Sequence, residues 1–186
     1  MAADPGFVPM DRDACREALA LPTGIPLIGS SGSWGRKRGT DILLNSFQRM
    51  RAQCPDARLV LSGRPPSHAV AAPGVVALGY LDDAQLPTLL NALDVACIIT
   101  ADTGFGRYSY PAKLCEAMAC GTPVVATSTA PVRWMLGPRS DLLAKVGDTG
   151  DIAARLSEVL RRDRVDYGEL ASWSAGARDL EAMLAE

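Results

Sequence analysis

The sequence is poor in the residues that build metal sites and disulfide frameworks. Among 186 residues there are one histidine and five cysteines. The cysteines are scattered and odd in number, so neither paired disulfides nor a zinc site is indicated. We therefore predict a protein of the reducing cytoplasm that needs neither a metal ion nor a cofactor.

The sequence also lacks a long apolar run and an excess of basic charge. No apolar run reaches the roughly 20 residues that cross a bilayer, and residues 1–5 lack the basic and apolar regions of a signal peptide. The formal net charge is −2, whereas domains that bind nucleic acid usually carry a basic surface. We expect a soluble domain with no transmembrane segment and no nucleic-acid partner.

What the chain does contain is an alternation typical of α/β proteins. With 48% hydrophobic and 22% charged residues, it can bury a sizeable core. From Ile25 onward short apolar runs alternate with helical patterns, which predicts a Rossmann-like three-layer α/β/α sandwich with a parallel sheet of about six strands. Residues 1–24 are predicted to be a lead-in or linker segment with a short helix near residues 13–19, and residues 25–186 the domain itself.

The periodicity locates the individual elements. Strands are predicted at residues 26–29, 58–61, 75–78, 95–99, 123–126 and 142–144. Helices are predicted at residues 40–53, from Asp82 or Asp83, from Pro111 to Gly121 with Pro111 in the first position, at residues 151–162, and from about Asp166. The segments at residues 62–74 and 100–111 are expected to be loops.

The loop after the first strand combines glycines with three cations. Loops that leave parallel strands share one edge of the sheet, where open sheets bind their ligands. Within residues 30–39 the glycines let backbone amides approach an anion, Arg36, Lys37 and Arg38 supply charge, and the helix at Thr40 adds its positive end. The loop is predicted to bind phosphate. The alternative is a solvated turn.

This loop differs from the common nucleotide-binding motifs. It matches neither the Gly-x-x-x-x-Gly-Lys-Ser/Thr phosphate loop nor Gly-x-Gly-x-x-Gly at a strand-to-helix junction. Both mismatches argue against ordinary nucleotide hydrolases and dehydrogenases. A second polar segment, residues 108–116, leads into a helix on which Lys113 and Glu116 share one face. They are predicted to bind ligand, the alternative being a surface ion pair.

Residues 111–126, PAKLCEAMACGTPVVA, closely resemble the signature of retaining glycosyltransferases with the GT-B fold, of the group 1 or family 4-like type. Residues 37–39, 57–63, 78–81, 147–148 and 172–174 are similar to further segments of that family. Residues 7–19 resemble the linker that enters the family's second domain, so the resemblance covers nearly the whole chain.

The resemblance implies the donor-binding half of a two-domain enzyme. Such an enzyme transfers sugar from a nucleotide diphosphate sugar to an acceptor with retention and without a metal. The acceptor-binding N-terminal domain would be missing or a separate subunit, so the chain alone is expected to be inactive, and membrane contact, if any, would be peripheral and through that half. The alternatives are a non-catalytic nucleotide-binding subunit and half of a GT-B epimerase acting on the sugar nucleotide.

The resemblance also implies roles for individual residues. Glu116 is expected to accept hydrogen bonds from the ribose hydroxyls. The catalytic residues, Lys37 and Arg38, are expected to hold the diphosphate and stabilise the charge that develops on it. Residues 79–81 are expected near the base, and the amides of residues 109–110 near the sugar or distal phosphate. The predicted substrate-binding residues are Gly32, Ser33, Arg36, Gly63, Tyr80, Ser109, Tyr110, Lys113 and Glu116.

The sequence departs from the family pattern at two positions. Tyr108 stands where the family often has a glutamate, eight residues before the ribose-binding one. Ser30 or Ser33 replaces an arginine that often follows the first strand, and Arg36 or Arg38 is expected to supply that charge instead.

Four further side chains have open interpretations. His68 is expected to be a solvated surface residue. Trp34 is expected either to cover the donor or to anchor its loop against the sheet. Asp102 and Arg107 are expected either to contact the sugar or the absent domain, or to pair with each other at the surface.

Overall fold

The structure is a computed structural model that describes residues 3–168, 170 and 173–184. Its strands are β1 (Leu27–Ser30), β2 (Arg58–Ser62), β3 (Val75–Gly79), β4 (Val95–Ile98), β5 (Val124–Thr127) and β6 (Leu143–Ala144). Within the described residues they form one six-stranded sheet in the order β3-β2-β1-β4-β5-β6. Every pairing in it is parallel.

Helices connect and cover the strands. They are α1 (Arg12–Ala18), α2 (Thr40–Arg51), α3 (Ser67–Val70), α4 (Leu86–Ala92), α5 (Gly104–Tyr108), α6 (Ala112–Ala119), α7 (Ala130–Leu136), α8 (Thr149–Val159) and α9 (Trp173–Leu184). Helix α2 packs on α8, whereas α4 packs on α1 and α6. The predicted Rossmann-like α/β architecture with a parallel sheet is confirmed. Among the described helices none combines the length and hydropathy of a membrane-spanning segment.

The strand order explains where a ligand can bind. The central strands β4 and β5 are buried along their whole length, as parallel strands covered on both faces require. Strand β1 pairs with β2 on one side and with β4 on the other. The direction of winding therefore reverses between β1 and β4, and open α/β sheets form their binding crevice at such a point.

Several element boundaries differ from the prediction. Helix α6 begins at Ala112, because Pro111 is its N-cap rather than its first residue. Helix α4 begins at Leu86, after a turn in which Gln85 N donates to Asp82 Oδ1 at 2.9 Å. Helix α9 begins at Trp173 rather than near Asp166.

Three short helices were not predicted. They are α3, α5 and α7, of four, five and seven residues. The first two lie in segments predicted to be loops, and α7 lies in a segment for which no element was predicted. Helices of one or two turns show too few repeats for hydrophobic periodicity to reveal them. Caps and tertiary contacts decide whether they form.

The lead-in segment is fastened to the domain by a partly buried charge cluster. Arg16 is only 4% exposed, and its guanidinium donates to Asp94 Oδ2 at 2.8 Å and to Ala92 O at 2.9 Å. Asp94 also accepts from the backbone of Leu27 at 2.7 Å. Helix α1 is thereby tied to the start of β1. Whether residues 1–24 also act as a linker stays a prediction.

The variant Asp94→Asn is expected to lower the free energy of unfolding by about 1 kcal/mol. The amide oxygen can still accept from Leu27, but hydrogen bonds to a charged group exceed neutral ones by about this amount. Urea unfolding followed by circular dichroism measures the change. The control is Asp163→Asn, since Asp163 pairs with Arg12 while 91% exposed, and exposed pairs contribute little. An equal change in the free energy of unfolding in the two variants would contradict the stabilising role assigned to Asp94.

Candidate functional site

A cleft of about 200 Å³ opens at the carboxyl ends of β1 and β4. It therefore lies where the winding of the sheet reverses. The lining residues come from the ends of β1 and β4, from the loops after β1, β4 and β5, and from the first turns of α2, α6 and α7. They are Ser30, Ser31, Ser33, Trp34, Arg38, Thr40, Leu43, Cys97, Ile98, Ile99, Thr100, Ser109, Tyr110, Pro111, Ala112, Lys113, Thr129 and Val132.

Hydrogen bonds to the end of β2 hold the first loop in place. Trp34 Nε1 and the Gly32 amide both donate to Ser62 O, at 2.8 and 3.3 Å. A Cβ on Gly63 would lie only 2.4 Å from Gly32 O, at a residue with φ of +97°. Only glycine fits there without a shift of the backbone. Trp34 thus anchors the loop and also lines the cleft.

Lys113 reaches from α6 across to this first loop. A Cβ on Gly32 would lie 2.4 Å from Lys113 Nζ, so the ammonium rests against the glycine backbone. Burial lowers the pKa of Lys113, the nearby Arg38 lowers it further, and Glu116 opposes both. Within the described residues no side chain forms a hydrogen bond or salt bridge with this ammonium. Lys113 of α6 and Arg38 of the loop after β1 therefore line the same cleft.

Glu116 lies beside the cleft rather than in its lining. Its side chain is half-buried. Burial raises the pKa of Glu116, Lys113 lowers it, and Asp83 in the loop after β3 raises it. No salt bridge joins Lys113 to Glu116, so the alternative of a simple surface ion pair is not what the structure shows. Glu116 is therefore influenced electrostatically both by Lys113 on its own helix and by Asp83 in the loop after β3.

The three cations of the first loop are placed differently. They form a 3₁₀ turn, Arg36–Arg38. Arg38 lines the cleft, and its Cζ lies 4.3 Å from the centre of the Phe105 ring. All three residues are exposed, but Arg36 and Lys37 are not part of the lining. The binding role predicted for Arg36 and the catalytic role predicted for Lys37 stay predictions.

Of the remaining predicted binding residues, some line the cleft and others do not. Ser33, Ser109 and Tyr110 line the cleft. Tyr110 forms a hydrogen bond between its hydroxyl and Cys115 Sγ at 3.1 Å, and burial, together with this hydrogen bond, raises its pKa to about 12. Tyr80, in contrast, is 76% exposed and outside the cleft lining. Its predicted contact with the base stays a prediction.

Apart from Trp34, the side chains with open interpretations lie at the surface. His68 and Asp41 pair through Nε2 and Oδ1 at 3.1 Å with both side chains exposed. Arg107 Nε donates to Asp102 Oδ1 at 2.7 Å, which is the mutual ion pair. The described residues hold no group of three or more histidine, cysteine, aspartate or glutamate side chains that could bind a metal ion.

Sequence reasoning did not identify Phe105 and Thr129 as site residues. Thr129 is the second residue after β5, so the rule that strand ends converge at one edge could have found it. Phe105 lies on α5, a helix whose N-cap is Thr103. A threonine three residues before Gly106 is a weak signal for a cap. No sequence pattern could have paired Phe105 with Arg38.

Comparison with known proteins matches most of the chain to one family. Residues 25–162 match the family model described as "Glycosyl transferases group 1". D-inositol 3-phosphate glycosyltransferase of Mycolicibacterium smegmatis is 31% identical over 96% of this chain and 44% of its own length. The enzyme of the same name from Stackebrandtia nassauensis is 29% identical over 94% of this chain and 44% of its own length. The chain thus spans less than half the length of these curated relatives.

Solved structures show the same fold. Sucrose-phosphate synthase from Thermosynechococcus elongatus superposes with a TM-score of 0.76 at 23% identity, over 97% of this chain and 49% of that one. The C-terminal domain of a glycosyl transferase group 1 family protein from Francisella tularensis superposes with a TM-score of 0.67 at 21% identity, over 84% and 86%. At these identities the likeness concerns the fold alone.

Proposed function

Since the chain belongs to the group 1 glycosyltransferases, we propose that it is the donor-binding half of a retaining enzyme that transfers sugar from a nucleotide diphosphate sugar. The observation that carries the proposal is the meeting of Lys113 and Arg38 at one cleft, with Glu116 one helical turn further along α6. Two cations suit a diphosphate, and a carboxylate at that distance suits the hydroxyls of the adjoining ribose.

The cations have a role in the chemistry as well as in binding. The bond between the anomeric carbon and the diphosphate oxygen breaks, and its electron pair stays on the phosphate. The acceptor oxygen forms the new bond and loses its proton. Cations held at the diphosphate stabilise the charge that develops there, which lowers the barrier instead of merely tightening ground-state binding. Lys113 and Arg38 supply that charge without a metal ion.

The acceptor is proposed to bind to groups outside this chain. The curated relatives are more than twice as long as the segment they share with it. In our proposal a second domain or a separate subunit contributes the other wall of the cleft and positions the acceptor. Proper alignment of two reactants provides a large part of the rate, so the chain alone is expected to bind the donor without efficient transfer.

Calorimetric titration with UDP, GDP and ADP tests the donor site directly. At least one diphosphate is expected to bind at least about tenfold more tightly than its nucleoside, a difference of about 1.4 kcal/mol. Binding should persist in EDTA, because the cations belong to the protein. Failure of all three diphosphates to bind would refute the proposal. Efficient sugar transfer by the purified chain would contradict the proposal that the acceptor binds to groups outside this chain.

A further inference from the structure

Helix α5 brings an aromatic ring to the loop after β1, the loop that is proposed to bind phosphate. The helix contacts the 3₁₀ turn Arg36–Arg38, and the Phe105 ring centre lies 4.3 Å from Arg38 Cζ. This is within the range in which a guanidinium is attracted to an aromatic face. The same arginine lines the cleft. The ring therefore touches a group of the binding site without lining the cleft itself.

The segment that carries Phe105 is held by its own contacts. Thr103 Oγ1 accepts a hydrogen bond from the Gly106 amide at 3.1 Å, and Arg107 pairs with Asp102 at 2.7 Å. A Cβ on Gly106 would lie 2.2 Å from Ala101 O, so the helix sits tightly on the chain that precedes it. The ring is presented from a fixed support.

Arg38 needs such a support because its other neighbour repels it. Lys113 carries the same charge, and its pKa is lowered partly by Arg38. Within the described residues no hydrogen bond or salt bridge holds the Arg38 side chain. A free guanidinium beside an ammonium would rotate towards solvent. Stacking on a ring occupies one face of the guanidinium plane and leaves its N–H edge available for two phosphate oxygens.

We propose that Phe105 is a positioning residue, which stacks on Arg38 and keeps its guanidinium turned into the cleft towards the diphosphate. This inference rests on the proposed donor-binding function. It gives α5 a role that needs no direct contact with the substrate. It also gives a reason why the short helix α5 carries a phenylalanine that is 43% accessible to solvent.

The test compares Phe105→Leu with Phe105→Tyr. The leucine variant removes the aromatic face and is expected to weaken UDP, GDP or ADP binding by about threefold to tenfold. The tyrosine variant keeps the face and should bind like the parent. Affinity for the matching nucleoside should be unchanged in both, whereas a structural defect of the cleft would weaken nucleoside and diphosphate together. In the Arg38→Ala background, Phe105→Leu should have no further effect.

A second measurement separates this inference from the proposed function. In the ligand-free chain, the NMR signal of Arg38 Nε–Hε should carry a ring-current shift that disappears in Phe105→Leu and remains in Phe105→Tyr. If the parent binds a diphosphate but Phe105→Leu binds it equally well, the positioning role is wrong and the donor site stands. If no diphosphate binds the parent, the proposed function fails. An Arg38 signal that is identical in parent and Phe105→Leu would overturn the positioning role in either case.

Discussion

Replacing Lys113 with methionine is expected to weaken nucleotide diphosphate binding about 100-fold and to leave nucleoside binding unchanged. Methionine keeps most of the length and apolar character of the side chain, so the change is close to removal of the ammonium alone. A half-buried cation that already rests against the glycine backbone can donate to phosphate at little further cost of ordering. Calorimetry with each diphosphate and its nucleoside measures the two affinities.

Two other lysines provide matched comparisons for this variant. Lys145 is exposed, in the segment between β6 and α8, so Lys145→Met should bind diphosphate like the parent. Lys37→Met tests the sequence-based prediction that Lys37 holds the diphosphate. Because Lys37 is exposed and outside the cleft lining, we expect a smaller loss than for Lys113. An equal loss in Lys113→Met and Lys145→Met would contradict the proposed phosphate position.

The variant Glu116→Gln is expected to weaken nucleoside and diphosphate binding alike, by about 30-fold. In the proposed complex the ionised carboxylate accepts hydrogen bonds from both ribose hydroxyls, and the neutral amide would accept them more weakly and could offer only one oxygen. The effect on the nucleoside distinguishes a ribose contact from a phosphate contact. The control is Glu17→Gln on α1, an exposed side chain. Loss of diphosphate affinity alone would place Glu116 at the phosphates instead.

The same residue predicts a pH dependence with a defined sign. Burial raises the pKa of Glu116 above its usual value of 4.5, with Lys113 opposing and Asp83 adding to the shift. The carboxylate therefore becomes protonated at a higher pH than an ordinary glutamate does. Nucleoside affinity should begin to fall above pH 4.5 as the solution is acidified, and Glu116→Gln should lack this fall. If the nucleoside affinity of the parent stays constant down to pH 4.5, the assignment of Glu116 as the ribose-binding residue is contradicted.

The strands of the sheet could be predicted from the sequence because each of them is a short local run of mainly apolar residues. Strand β4 is a short, wholly apolar run and β5 is an apolar run that ends in Thr127, and each was predicted within one residue of its limits. Helices α2 and α8 are long enough to show an apolar face. Helix α5 is a single turn, and what holds it is a cap, an ion pair and close backbone packing, which periodicity does not report.

The candidate site also has a part that the sequence predicted and a part that it did not. The loop after β1 and the start of α6 were identified as ligand-binding segments from residue types and from the convergence of strand ends. The sequence did not show that Lys113 lies against Gly32, that Glu116 stands beside the cleft, or that Arg38 alone among its three neighbouring cations lines it. Adjacent residues such as Lys37 and Arg38 have the same charge and the same local context, so only their direction in space distinguishes them.

By itself the sequence determined the parallel α/β sheet, the edge at which polar loops gather and the family to which the chain belongs. These follow from hydrophobic periodicity and from a contiguous motif, both of which are local properties of the chain. Tertiary structure alone decided which cations line the cleft, that Glu116 lies outside its lining and which ring stacks on Arg38. Those features depend on contacts between segments distant in sequence, such as Gly32 with Lys113, whose distances are set by packing of the whole domain.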